Sequence, residues 1–232
     1  DRNNNIQEHG KVISDYEPFS SDNSYVFDLV SHVVSSGNVV VSNAPWSSYL
    51  GNDTIKKVLI GSVIKPIDTS NWFYKCFNME NGDFSNLDTS TTTKMSNMFS
   101  YSGKNSTSYT LTGLDKWNLS NAIDMSYMFK EAGINASNFK IDNLSSWDVS
   151  NNPDMSYIFA NAGEKASSWN IGNLSNWDTS NWSSMKALFS GINLKNGVFD
   201  VGDLSNWNTK KVTNMSYLFN NSNIYTITKG IN

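Results

Sequence analysis

Hydrophobic positions recur along this chain with a fixed period: Met95, Met125, Met155, Met185 and Met215 stand 30 residues apart, and Phe99, Phe129, Phe159, Phe189 and Phe219 follow each at a constant offset. A period of this length is the mark of a stacked solenoid, in which one supersecondary unit recurs and each copy covers the apolar face of its neighbour. Aligned units give columns. Leu114, Leu144, Leu174 and Leu204 are followed three residues on by Trp117, Trp147, Trp177 and Trp207, then by Thr89, Leu119, Val149, Thr179 or Thr209. This rhythm predicts a leucine-rich strand whose alternate side chains face the core. Next stand Lys94, Asp124, Asp154, Ser184 and Asn214, mostly residues that cap helix N-termini. Met125, Met128, Phe129 and Ala132 then follow at i, i+3, i+4 and i+7, one face of a short helix. Gly103, Gly133, Gly163, Asn193 and Asn223 come where a left-handed residue would close it. The unit ends on Tyr109, Phe139, Trp169 and Phe199, each two residues before Leu111, Ile141, Ile171 or Val201, which predicts a second extended segment. The predicted fold is an α/β solenoid, a leucine-rich-repeat-like array of five 30-residue units built as strand, short helix and extended segment, with an N-terminal α+β cap.

The period sets the expected boundaries. Residues 1–83 form the cap, 84–223 the five-repeat solenoid and 224–232 a strand-like tail. Within the cap, Tyr25 to Val34 reads as a short helix, Val39 to Val41 as a strand, and Ile55 to Ile64 as a strand pair around Gly61. A shortened repeat occupies about 67–78, with Cys76 placed where Met98 and Met128 stand.

Composition narrows the function classes. The 232 residues carry a net charge of −4 and only 16% are charged, so the basic footprint of a nucleic-acid binder is missing. No apolar run approaches the roughly 18 residues of a membrane span, so direct membrane insertion of this segment is not expected. The first residues, Asp1 to Asn5, do not read as a signal peptide, as those of a processed secreted chain would not. The single cysteine, Cys76, has no partner at metal-ligand spacing and is expected to be a buried thiol. His9 and His32 likewise lack neighbouring ligands, and no nucleophile-elbow or phosphate-loop motif occurs. The reading therefore assigns no catalytic residue, no cofactor and no metal, and the chain is expected not to be an enzyme.

Three sets of residues outside the core pattern are candidates for partner contact. The first is a ladder of Asp88, Asn118, Asp148, Asp178 and Asn208, predicted to face solvent on rungs about 5 Å apart. Asp148 and Asp178 could share a Ca²⁺ ion, but no glycine-bearing calcium loop accompanies them, and a ladder that simply faces water is favoured. The second is an outer stripe of Tyr127, Tyr157 and Tyr217, for which stacking of one tyrosine on the next along the array is the favoured alternative. The third is Trp182, in a column otherwise filled by Thr92, Ala122, Asn152 and Val212, so the core does not demand an indole there, and the filling of a local gap is an equal alternative to ligand contact.

Leu174 to Asn181 with Met185 to Phe189, and Leu204 to Thr209 with Val212 to Phe219, resemble the BspA-like leucine-rich repeat surface proteins, a group catalogued as a mycoplasma-type repeat of unknown function. Ala44-Pro45-Trp46 is similar to the segment that often precedes those repeats, whereas Lys210-Lys211 replaces the usual Ser-Asn and Trp182 the usual Val. The resemblance implies an exported bacterial protein on the cell surface, engaged in adhesion to a host or bacterial surface protein or glycan, and it implies no catalytic residues. A spacer that displays another domain, and a ligand or enzyme site in the cap, are the competing expectations.

Overall fold

The computed structural model describes residues 6–8, 11–18, 25–31, 55–60, 63–151, 153–192 and 199–226. Among these the chain forms short strands joined by long runs of turns, and it has no α-helix. Strands β1 (Ile6–Glu8), β2 (Lys11–Pro18) and β3 (Tyr25–Ser31) pair antiparallel in sequence order. From β3 onward the pairing is parallel through β4 (Ile55–Leu59), β5 (Asn81–Asp83), β6 (Ser108–Thr112) and β7 (Asn138–Lys140), in one seven-stranded sheet. A separate parallel pair joins β8 (Phe199–Asp200) to β9 (Ile224–Thr226). The helix expected from Tyr25 is thus a strand, in keeping with its β-branched and aromatic content. Val39 to Val41, Ala44 to Trp46, Gly61, His9, His32 and Asn193 lie outside the described residues.

The repeat is a β-type coil whose successive turns stack as rungs, and its short helix is replaced by a chain of tight turns. Within the turn segment of one rung, Met128 N donates to Met125 O, Lys130 N to Tyr127 O and Ala132 N to Phe129 O. The amides between them point along the stack: Met125 N donates to Asp154 O, Tyr127 N to Ser156 O, Phe129 N to Ile158 O and Glu131 N to Ala160 O. Tyr127 (φ 60°) and Glu131 (φ 55°) sit in the left-handed region, as the third residue of a type II turn requires, and an α-helix cannot pass through them. The expected apolar face is nevertheless real, since Met125, Met128, Phe129 and Ala132 are all fully buried. Successive turns of this kind direct the same residues inward that a helix would.

The expected caps keep their chemistry within this different frame. Asp124 Oδ1 accepts from Ser126 N at 3.0 Å, Asp154 Oδ1 from Ser156 N at 2.9 Å and Asn214 Oδ1 from Ser216 N at 3.0 Å. Each closes a local Asx turn, and the same residues form parallel bridges from rung to rung, as in Lys94 to Asp124 to Asp154.

The strand assignment within the unit is also corrected. The regular strand of the 109-type segment is β6, while Leu114–Lys116 and Leu174–Asn176 are single 3-10 turns leading into the tryptophans. Those tryptophans are core, as expected, and they stack: Trp117, Trp147, Trp177 and Trp207 lie with ring centroids 6.2–6.3 Å apart and nearly parallel planes. The indole N–H groups of the last three reach back one rung, from Trp147 to Leu114 O at 2.8 Å, from Trp177 to Leu144 O at 3.0 Å and from Trp207 to Leu174 O at 3.0 Å, so each of these rings packs and satisfies a buried carbonyl at once. A second spine runs through Phe73, Phe99, Phe129, Phe159, Phe189 and Phe219, stacked at 5.4–6.0 Å. It also fixes the register of the shortened repeat. Thr69 N bonds Lys94 O and Gly103 N bonds Cys76 O, which sets Phe73 beside Phe99 and Cys76 beside Ser102, not at the position of Met98. Cys76 is fully buried, and that burial pushes its thiol pKa up to about 12.

Candidate interaction face

Each member of the Asp/Asn ladder accepts a hydrogen bond from the backbone amide two residues on. Asp88 Oδ1 accepts from Ser90 N at 2.9 Å, Asn118 Oδ1 from Ser120 N at 3.0 Å, Asp148 Oδ1 from Ser150 N at 3.1 Å, Asp178 Oδ1 from Ser180 N at 2.9 Å and Asn208 Oδ1 from Lys210 N at 3.1 Å. Asn118, Asp148 and Asp178 are exposed, and Asp88 and Asn208 half-buried. The column is therefore a run of Asx turns in which one side-chain oxygen closes its own turn. Hydrogen bonds from Ser180 hold the Asp178 carboxyl below the usual carboxylate range, with a smaller contribution from Lys211. Burial works against the charge of Asp88, but its bonds with Ser90 and its 3.3 Å ion pair with Lys65 outweigh this and lower its pKa as well. Among the described residues no group of three or more His, Cys, Asp or Glu is arranged to hold a metal ion.

Beside the ladder, amides clamp one rung to the next: Asn121 Nδ2 donates to Ser90 O at 2.7 Å and Asn181 Nδ2 to Ser150 O at 3.1 Å. Lys211, which replaces an Asn in this column, donates its Nζ to Asn181 Oδ1 at 2.8 Å and so keeps the clamp.

The tyrosines lie on the turn segments. Tyr127 and Tyr157 are half-buried and stack face to face, with centroids 4.9 Å apart and planes 6° from parallel. Tyr217 is 60% exposed and belongs to the same column, but Ala187 stands between it and Tyr157, which interrupts the stack. Lysines, absent from the sequence-based candidates, complete this face. Lys130 Nζ lies 5.7 Å from the centre of the Tyr127 ring and 5.4 Å from that of Tyr101, and Lys186 Nζ is 5.4 Å from Tyr157. Lys104 and Lys75 sit similarly over Tyr101 and Tyr74, whose rings meet edge to face at 6.1 Å. Cation and ring attract one another through the ring quadrupole, so these side chains hold each other in place. Partial burial disfavours the charge on Lys130, but Tyr101 beside it and Glu131 at 3.9 Å raise its pKa above the ordinary lysine value. The lysines fall in different columns of the repeat, so no single sequence column announces them; only the turn geometry brings them onto one face.

Trp182 corrects the third expectation. Its side chain is fully buried between Trp177 and Trp207, and its indole N–H donates to Val149 O at 2.9 Å. It fills a core position that other rungs fill with smaller residues, and its ring is not available to a partner. A groove of about 420 Å³ is lined by residues of β4, β5 and β6, among them Lys57, Leu59, Asn81, Asp83, Thr110 and Thr112.

Among the described residues no helix is long and apolar enough to cross a membrane. Comparison with curated proteins and with solved structures found no match for the chain. Comparison with protein families found one, described as Mycoplasma protein of unknown function, DUF285, over residues 67–197 and again over 134–229. The two matched stretches together run from the shortened repeat to β9 and include both aromatic spines and the tyrosine face. On that coverage the chain belongs to the DUF285 family of mycoplasma-type repeat proteins of unknown function.

Proposed function

We propose that this chain is a non-enzymatic, surface-displayed bacterial repeat protein of the BspA-like kind, which binds a host or bacterial surface protein or glycan through the turn face of its stack. The supporting observation is the alternation of half-exposed tyrosines with lysines across consecutive rungs, from Tyr74 to Lys186. The core is served by separate columns of Met, Phe and Trp, so nothing in packing calls for this outer pattern. Repetition suits such a role, because equivalent weak contacts on successive rungs add up through multivalency. Membership in a family of repeat proteins agrees with this reading. An extracellular location on the bacterial surface is part of the same proposal.

The test is a binding screen of the purified chain against immobilised matrix proteins, mucin and bacterial cells. Saturable binding is expected to at least one, and a Tyr127→Ala/Tyr157→Ala variant that keeps its thermal unfolding cooperative is expected to lose at least tenfold in affinity. Absence of binding to every surface supports a spacer role instead.

A further inference from the structure

Resting on the reading above, we propose that the turn face binds a linear sulfated polysaccharide, laid along the stack so that sulfate groups meet Lys75, Lys104, Lys130 and Lys186. Charge is the first argument. The molecule as a whole is acidic, with a net charge of −4, yet these four lysines are gathered on one stripe. Four acidic groups lie on or beside the stripe, each already engaged or partly covered: Glu131 contacts Lys130 at 3.9 Å, Glu164 is half-buried, and Asp124 and Asp154 each hold a turn amide.

Spacing is the second argument. Lys75, Lys104 and Lys130 belong to consecutive rungs and Lys186 to the second rung beyond, so at the strand spacing of about 4.8 Å the stripe extends for roughly 19 Å. A row of point charges spread over several rungs matches a polymer with repeated acidic groups, while a compact anion would not reach from Lys75 to Lys186. The rings supply the third argument. Each lysine ammonium lies over a tyrosine ring, which limits its rotamers before the ligand arrives and reduces the ordering cost of binding. Ring edges and hydroxyls between the cations then present surface to the sugar backbone.

Heparin is the probe, measured by isothermal titration at physiological ionic strength, with chemically desulfated heparin, dextran and single-stranded DNA as comparison ligands. Heparin is expected to bind, and Lys104→Gln/Lys130→Gln/Lys186→Gln to weaken it at least tenfold. Lys57→Gln/Lys116→Gln/Lys140→Gln, which removes the same charge from elsewhere, is expected to stay within twofold of the parent. Glu131→Gln is expected to strengthen binding about twofold. Equal loss in the two triple variants, equal binding of DNA, or no heparin binding overturns the proposal. Matrix or cell binding that survives with heparin binding absent leaves the broader adhesion reading intact while this one fails.

Discussion

At the scale of single residues, much of the exposed polarity of this chain acts on its own backbone. Asp178 illustrates this, because Ser180 donates to it through both its hydroxyl and its amide, and the carboxyl is held below its usual range. A carboxylate whose folded pKa lies below its unfolded value adds stability that is complete above the ordinary carboxylate range and is lost as pH falls through the depressed folded value. Asp178→Asn keeps the acceptor but removes the proton. It is expected to leave the melting temperature at pH 7 nearly unchanged and to shrink the loss of melting temperature between pH 5 and pH 3, read by calorimetry; an acid limb identical to the parent's contradicts the assignment. The placing of Asp148 and Asp178 on the solvent side was legible in the sequence, because alternation along an extended chain puts them opposite the tryptophans. The burial of Trp182 was not, since a column of Thr, Ala and Val does not reveal that one rung has room for an indole.

At the scale of the element, the inward residues were legible but the backbone that carries them was not. The set i, i+3, i+4, i+7 fits a helix, and it equally fits two linked type II turns, because both return the chain to the same side after three to four residues. The distinguishing signal lies in the residues with positive φ. Asn161, Gly191 and Asn221 occupy one column, with φ of 56°, 72° and 52°, and these are the residue types that tolerate such angles. Tyr127, Glu131 and Ala187 at equivalent positions hide the signal. Ala187 has φ 52° and is fully buried, so Ala187→Val places a β-branched side chain in a forbidden region. That variant is expected to lose about 2 kcal/mol or more in chemical denaturation, and Ala187→Gly to stay within about 1 kcal/mol of the parent. A helix at this position would give the reverse order, with glycine the poorer residue.

For the whole molecule, stability is carried by two continuous aromatic spines, and each rung is held mainly by those above and below it. Phe159 is enclosed between Phe129 and Phe189, whereas Phe219 is only partly buried. Phe159→Ala is therefore expected to cost about 3–5 kcal/mol and Phe219→Ala about 1–2 kcal/mol by equilibrium denaturation. Equal costs would mean that the array unfolds without regard to position.

The turn segments also give the stack an electrical direction. In an ordinary sheet the amides alternate and their dipoles nearly cancel. Here, within each turn segment, every second amide is used up inside the turns and the others point N–H toward the higher-numbered rung, as at Thr69, Met95, Met125 and Met185, while flanking amides such as those of Gly103, Ile123 and Gly133 point back. Along the column of turn segments these dipoles add, as they do in a helix, but with the positive end at the later residues, opposite in chain sense to a helix. The rung of Met215 to Asn221 thus lies at the positive end and the rung of Thr69 to Lys75 at the negative one. An acidic group approaching the column of turn segments along the axis is favoured at one end of that column and opposed at the other.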